Sequence, residues 1–400
     1  MKSPLNCLIF AATLALTLGT FPAQAVELDS IFIPYGFLNA TYWTAGHSVA
    51  SIGPLNSNFS APVASGLDRG ESDRQNRRSR GAFEVQQSRF GFQVLPKSRV
   101  HGKFEFDFLN NSNAAPATAS QLRLRIAKIE WQLSDSSMIF AGQDWDLFGG
   151  GVNPHTHNWV GNEFQGGNVG FMRQQLGFSS HCESMEYGFA VGMAQNSIGN
   201  TGAFPSSNSD TDFSVPTVAF KAAVVREKSK YGATGIYAPR ISAATVGGLD
   251  SGNSHTAFGT TLFADAAAGE DFIVHAKIYW GQNLKDIGTF SLSSIVPGSG
   301  ATSARSTHEY GGFFSVAHAF STLWDTYGGL GFAKISEESA LPTDGLMRNW
   351  QAKLGGNYLI PDSKAKVFLE LTRYVTEYKL AGGNTDFTAY ASQLGIEMPF

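Results

Sequence analysis

The chain has 400 residues, a formal net charge of -4, 44 glycines, 31 phenylalanines and two cysteines. Near-neutral charge excludes a nucleic-acid binder, frequent aromatics exclude a disordered chain, and so few cysteines exclude a disulfide-stapled scaffold. After Ala25 no apolar run approaches the roughly 18 residues of a transmembrane helix.

The amino terminus reads as an export signal. Lys2 is followed by the apolar stretch Leu5 to Leu18 and by Phe21-Pro-Ala-Gln-Ala25, a small-residue cleavage site. The expected organisation is a signal peptide over 1–25 and one domain over 26–400.

Beyond it, side chains alternate with period two in segment after segment. Strands are expected at 34–44, 87–95, 99–109, 121–133, 136–145, 168–178, 184–194 and 216–226. The second half adds 230–239, 256–265, 271–281, 308–318, 322–333, 347–359, 363–375 and 388–400. In the third segment Val100, Gly102, Phe104, Phe106 and Phe108 share one face, while Arg99, His101, Lys103, Glu105 and Asp107 share the other. No soluble core accommodates that polar face, but a wet channel does. The alternation slips in 121–133, which predicts a bulge or a buried pair near Ala127. In 168–178, Met172, Leu176 and Phe178 face out and Arg173 and Gln175 face in. In 184–194 the inward residues Gly188, Ala190 and Gly192 are small, which widens the lumen or makes room for a loop. The last segment sets Tyr390, Ser392, Leu394, Ile396, Met398 and the terminal Phe400 on one face.

The connections alternate in length. Short links at 96–98, 134–135, 179–183, 227–229, 266–270, 319–321 and 360–362 alternate with long ones at 45–86, 110–120, 146–167, 195–215, 240–255, 282–307, 334–346 and 376–387. Short turns on one side and long loops on the other predict an all-β antiparallel transmembrane barrel of sixteen strands, closed because lipid tolerates no open edge. The compartment this implies is the outer membrane of a Gram-negative bacterium, with membrane lipids and lipopolysaccharide around the barrel.

Charge gathers in the first half. Arg89, Lys103, Arg123, Arg125 and Arg173 are expected to point into the lumen, tempered by Glu105, Asp107 and Asp144. A basic strip lowers the barrier to anions and offers hydrogen bonds to carboxylate or phosphate groups. Such charges also serve simply to keep the wall wet. The loop 146–167 is a candidate constriction: glycines 149–151 permit a sharp bend, and Asp146, His155, His157, Trp159 and Glu163 supply polar contacts. Asp146 and Glu163 could face the arginines across the pore. His155-Thr-His157 has metal-ligand residues but no specified third ligand, so no metal is assigned. The sequence has no His-Glu-x-x-His, phosphate loop or Gly-x-Ser-x-Gly, so neither an enzyme nor a cofactor is expected.

Ser88-Arg-Phe-Gly-Phe92, Gly102-Lys-Phe-Glu-Phe-Asp107, Leu122-Arg-Leu-Arg125 and Ala141-Gly-Gln-Asp-Trp145 carry a resemblance to the Gram-negative porins, and among them to the DcaP-like trimeric porins. The motif similarity covers about 86–178. The resemblance implies a homotrimer, a third loop inside the barrel, and an arginine-lined eyelet built here from Arg89, Arg123 and Arg125. It also implies that the outer-membrane barrel assembly machinery reads the carboxy-terminal strand. Some members carry a periplasmic coiled coil before the barrel, but only Val26 to Pro34 separates the cleavage site from the first strand. Three functions are expected: passive diffusion of small hydrophilic solutes and ions, with a possible preference for anions; a selective channel for anionic or aromatic solutes, contacted by Trp145 and Trp159; or a non-conducting adhesin or structural barrel.

Overall fold

The computed structural model describes residues 31–45, 80–85, 87–108, 122–157, 164–193, 216–242, 254–289, 291–297, 304–341, 345–380 and 383–400. The expected signal peptide and the loop residues Trp159 and Glu163 lie outside the described residues.

One antiparallel sheet of 17 segments closes on itself. Two segments, Arg80–Glu84 and Arg89–Val94, both pair with the first strand and are the halves of one interrupted strand, so the barrel has 16. In order, the strands are β1 (Phe32–Ala45), the interrupted β2, β3 (Val100–Asp107), β4 (Arg123–Ser134), β5 (Ser137–Trp145), β6 (Met172–Cys182), β7 (Met185–Gly192) and β8 (Thr217–Arg226). Then follow β9 (Ser229–Ser242), β10 (Ser254–Ala267), β11 (Phe272–Gln282), β12 (His308–Ala319), β13 (Trp324–Ile335), β14 (Gly345–Leu359), β15 (Lys366–Leu380) and β16 (Gly383–Pro399). The final strand closes the barrel on the first, pairing Leu38 with Met398, and the amide of Phe400 donates to the Gly36 carbonyl at 3.0 Å. Every strand thus has a neighbour on both sides, as a bilayer requires.

The outer face is apolar. Phe104, Leu176, Phe220, Ile278, Leu330 and Leu369 are all exposed there. Tyr42, Tyr237, Trp280, Tyr310 and Tyr390 stand toward the long-loop end, and Phe272, Trp324 and Tyr358 toward the short-turn end. This gives the two aromatic girdles of a transmembrane barrel around an apolar belt. Inside, opposite the belt, lies a second and separate apolar cluster. Phe148, Val169, Leu284, Ile287 and Ile295, all from connections, pack on Ala219, Ile236 and Tyr279 of the wall.

Four local expectations differ from the structure. The slip in β4 expected near Ala127 falls two residues earlier, at Arg125: Glu105 pairs with Ile126 and Phe106 with Leu124, so Arg125 is the extra residue and both it and Ile126 are buried. Strand β6 begins at Met172 rather than 168, because the residues before it belong to the inward loop. Met172 is buried rather than lipid-exposed. The connection expected over 376–387 is strand: Glu377 pairs with Asp386 and Leu380 with Gly383, giving a long hairpin whose two-residue link follows Leu380.

Candidate functional site: the barrel lumen and its inward loops

The wall at β2 to β5 carries an ion-pair ladder. Arg123 grips Asp107 with two bonds, at 2.9 and 2.6 Å. Arg125 donates to Glu105 at 2.8 Å and to Asp107 at 3.0 Å. The bulge makes this double contact possible: the extra residue swings the Arg125 guanidinium between two carboxylates that stand two residues apart on β3. Arg89 pairs in register with Asp107 and sits over the Phe37 ring at 5.3 Å. Lys103 lies 4.7 Å over the Tyr35 ring, and Tyr35 in turn donates to Glu105 at 3.3 Å. Lys128, which the sequence reading did not select, bridges Asp144 at 2.7 Å and Glu130 at 2.9 Å. Lys128 faces inward because the slip at Arg125 reverses the parity of β4 beyond it. Five cations thus meet four carboxylates, so the strip is an alternating lattice with a small positive excess rather than a bare basic surface.

The loop after β5 turns into the barrel. Asp146 caps a short 3-10 turn, Leu147–Gly149, by accepting the Gly149 amide at 2.8 Å. Gly150 and Gly151 then take left-handed conformations with φ of 73° each, which reverses the chain at little steric cost. The turn carries Phe148 into contact with β9 and β10. Thr234 donates to the Phe148 carbonyl at 2.7 Å. At Gly259 a Cβ would lie 2.7 Å from the Phe148 ring, so the wall is glycine where the loop presses on it. At Gly188 a Cβ would lie 3.4 Å from Leu147, in ordinary contact with the loop, and at Gly192 one would lie 2.9 Å from the Arg173 side chain of β6. Gly192 therefore makes room for Arg173, while Gly188 lies against the loop.

The loop then runs along the wall as far as β15. Lys277 donates to the Gly149 carbonyl and, at 2.7 Å, to Asn168 Oδ1, tying the outgoing and returning limbs together. The His155 amide donates to Ser315 Oγ at 2.9 Å. Glu370, buried, accepts from Thr156 Oγ1 at 2.9 Å, the His157 amide at 2.8 Å, Tyr327 at 2.8 Å and Gln393 at 2.9 Å. On the return, Asn349 donates to the Gln165 carbonyl at 2.9 Å. Charge-assisted bonds to a buried carboxylate are stronger than neutral ones, so Glu370 is the strongest anchor of the loop's far end.

A second connection, between β11 and β12, also turns inward, which the sequence reading took for an external loop. Glu309 accepts the Leu292 and Ser293 amides at 2.7 and 2.6 Å and the Tyr279 hydroxyl at 2.5 Å. Asp286 accepts the Ile295 amide at 2.7 Å and Ser294 Oγ at 3.0 Å. The two loops meet at Arg173, which donates to Asp146 at 3.4 Å, to the Ile287 carbonyl at 2.8 Å and to the Met193 carbonyl at 2.5 Å. Arg173 and Asp146 are inward, as their positions predict, but both are sealed beneath the loops, so Asp146 faces Arg173 and not the arginines of β4. Asp144 lies on the ladder with Lys128.

The loop histidines diverge. His155 stacks on His275 at 4.2 Å between centroids, and His157 stacks on Phe368 at 3.9 Å while its Nε2 meets Asn357 at 2.7 Å. They do not share one coordination sphere. Burial, with the neighbouring His275, pushes His155 down to about 4, and burial followed by the Lys366 charge lowers His157. Burial raises Asp146 and pushes Asp286 up to about 6.

No family model matches this chain, and no curated protein matches it in sequence. Solved structures do match in fold. The outer membrane channel DcaP of Acinetobacter baumannii superposes with a TM-score of 0.70 at 13% identity, covering 92% of this chain and 97% of that one. The fold is that of the outer-membrane porins. The anion-selective porin of Comamonas acidovorans aligns with a TM-score of 0.57 at 10% identity, over 92% of this chain and 99% of its own. OmpT of Vibrio cholerae aligns with a TM-score of 0.54 at 11% identity, over 94% and 100%. At such identities the porin likeness is one of architecture.

Proposed function

We propose that this chain is a porin that lets small hydrophilic solutes and ions diffuse passively across the outer membrane, with a mild preference for anions. The observation that carries the reading is the asymmetry of the lumen. One wall, β8 to β15, is lined by a loop seated through Glu370, Ser315, Lys277 and Asn349, and the other carries a charge ladder. A narrowed pore with a charged wall orders water and screens ions as they pass. Because carboxylates nearly balance the ladder's cations, the preference for anions is weak. Arg89, Lys103, Arg123 and Asp144 are the proposed pore-lining residues, backed by Glu105, Asp107 and Arg125, which lie buried in the wall, with the loop from Asp146 through His155 and His157 as the constriction. The DcaP-like subfamily, the homotrimer, cleavage after Ala25 to leave one barrel domain, and recognition of the last strand by the assembly machinery belong to the same proposal.

A selective channel for anionic or aromatic solutes gains little from Trp145, whose ring is stacked on Phe164 at 6.2 Å, is met edge-on by Phe171 at 5.9 Å, and lies 5.9 Å from the Arg125 guanidinium. Conductance in a salt gradient, with the zero-current potential, tests the proposal. Discrete openings with a small anion-selective potential support it, and a closed or strongly cation-selective channel contradicts it.

A further inference from the structure

On the outer surface, among the described residues, Arg373 sets a cation at the edge of the apolar belt. Along β15 the outward-facing exposed residues run Leu369, Leu371, Arg373. In register, Arg373 stands between Ala352 of β14 and Tyr390 of β16. Its guanidinium lies 5.0 Å from the centroid of the Trp350 ring and 5.9 Å from that of Tyr390. Among the described residues it has no carboxylate and no hydrogen-bond partner. Nearby Glu377 is engaged by Arg348 at 2.8 Å, four residues further toward the loops. Directly beneath Arg373 is a groove of about 540 Å³ on the sheet's outer face. Its floor is small or short where neighbouring strands are bulky, with Ala352, Thr44 and Ser392, and its rims are the exposed Leu354, Leu371 and Tyr390.

A charge on the lipid face is costly at the bilayer midplane and tolerated near the interface. Trp350 and Tyr390 mark that interface, because amphipathic rings gather at head-group depth. Arg373 is thus presented where phosphates lie, held by two rings that fix its planar fork without using its N–H groups. The groove runs from it toward the apolar belt, the direction an acyl chain takes. We propose that Arg373, Trp350 and Tyr390 form a binding site for a phosphate-bearing anionic membrane lipid, with the phosphate on the guanidinium and one acyl chain in the groove over Ala352 and Ser392. Charge complementarity selects this occupant: a second copy of the chain presenting the same face would set Arg373 against another Arg373 or against leucines. The site is independent of whether the lumen conducts.

The test is native mass spectrometry of the purified full-length protein released from micelles doped with phosphatidylglycerol or with phosphatidylcholine. The expected result is preferential retention of phosphatidylglycerol, reduced about fivefold in Arg373→Gln, the weight of one basic residue at an anionic surface. Ala352→Trp, which fills the groove and keeps the cation, should reduce retention as well, while glycerol 3-phosphate should not compete. Unheated gel mobility of each variant checks that its barrel is folded. Equal retention of both lipids, retention unchanged in folded Arg373→Gln, or displacement by glycerol 3-phosphate overturns the proposal. So does chain association through this face that is lost in Arg373→Gln.

Discussion

Replacing Glu370 with Leu should release the far end of the inward loop. The leucine fills a similar volume but accepts nothing. The His157 amide and the Thr156 hydroxyl, at 2.8 and 2.9 Å from the carboxylate, lose their acceptor while the loop stays seated. A buried donor left unpaired costs about 1–3 kcal/mol, and a lost hydroxyl bond about 1 kcal/mol more, whereas water satisfies both groups once the loop lifts off. The seat therefore weakens by about 2–4 kcal/mol, and the released population rises at least about 30-fold. Tyr327 also loses its partner, but it belongs to the wall and is affected whether or not the loop is docked. Amide hydrogen exchange in micelles reads the effect: His157 should exchange faster by that factor, while strand amides such as Leu369 keep their protection. Single-channel records should show more frequent excursions to a higher conductance. Exchange at His157 as slow as in the parent protein, in a folded barrel, would refute the assignment of Glu370 as the anchor.

Other outcomes follow from the same contacts. Arg123→Gln removes one cation from the ladder and its two bonds to Asp107, so the zero-current potential in a salt gradient should move toward cation selectivity; an unchanged potential would show that the ladder lies off the ion path. Gly259→Ala sets a methyl 2.7 Å from the Phe148 ring and 2.9 Å from Leu284, which should cost about 1–3 kcal/mol of overpacking and lower the barrel's unfolding temperature. A variant as stable as the parent would mean that the loop does not press on that wall. The histidine end of the loop after β5 and the loop after β11 should respond to acid with opposite sign. His155 has its pKa depressed to about 4 when seated, so its contribution is complete above about 6.5 and is lost as pH falls toward 4. Asp286 has its pKa raised to about 6, so its contribution is complete below about 4 and is lost as pH rises through 6. Between pH 6.5 and 4 the histidine end of the loop after β5 should loosen and the loop after β11 tighten, seen as diverging exchange rates at His157 and Ile295. His155→Phe, which keeps a ring over His275, should weaken the first trend and leave the part that His157 contributes.

Most of the barrel was legible because one physical constraint, lipid on one side and water on the other, writes itself into every strand with period two. What escaped is local or non-local. The first half of β2, Arg80–Glu84, is too short to announce itself beside a polar stretch. The start of β16 reads as a turn because Gly383, Asn384 and Asp386 are turn residues, yet pairing with β15 holds them in the sheet. The bulge in β4 was visible as a slip in alternation, but its place depended on which β3 residue each β4 residue opposes. The inward path of the loop after β11 depends on Glu309, 17 residues from the Leu292 amide it accepts, and no spacing in the loop itself records that contact. For the site, the side of the sheet was readable for Arg123 and Arg125. Their carboxylate partners on β3 turn an apparent basic strip into a nearly neutral lattice, and that depends on cross-strand register.

The account rests on an open, narrowed and weakly positive lumen. Planar-bilayer recording of the purified protein tests it most directly, with a tenfold salt gradient across the membrane. Discrete, reproducible conductance steps with a small zero-current potential of anion-selective sign are the predicted result. Pure, folded protein that gives no steps would contradict it and make the two inward loops a plug.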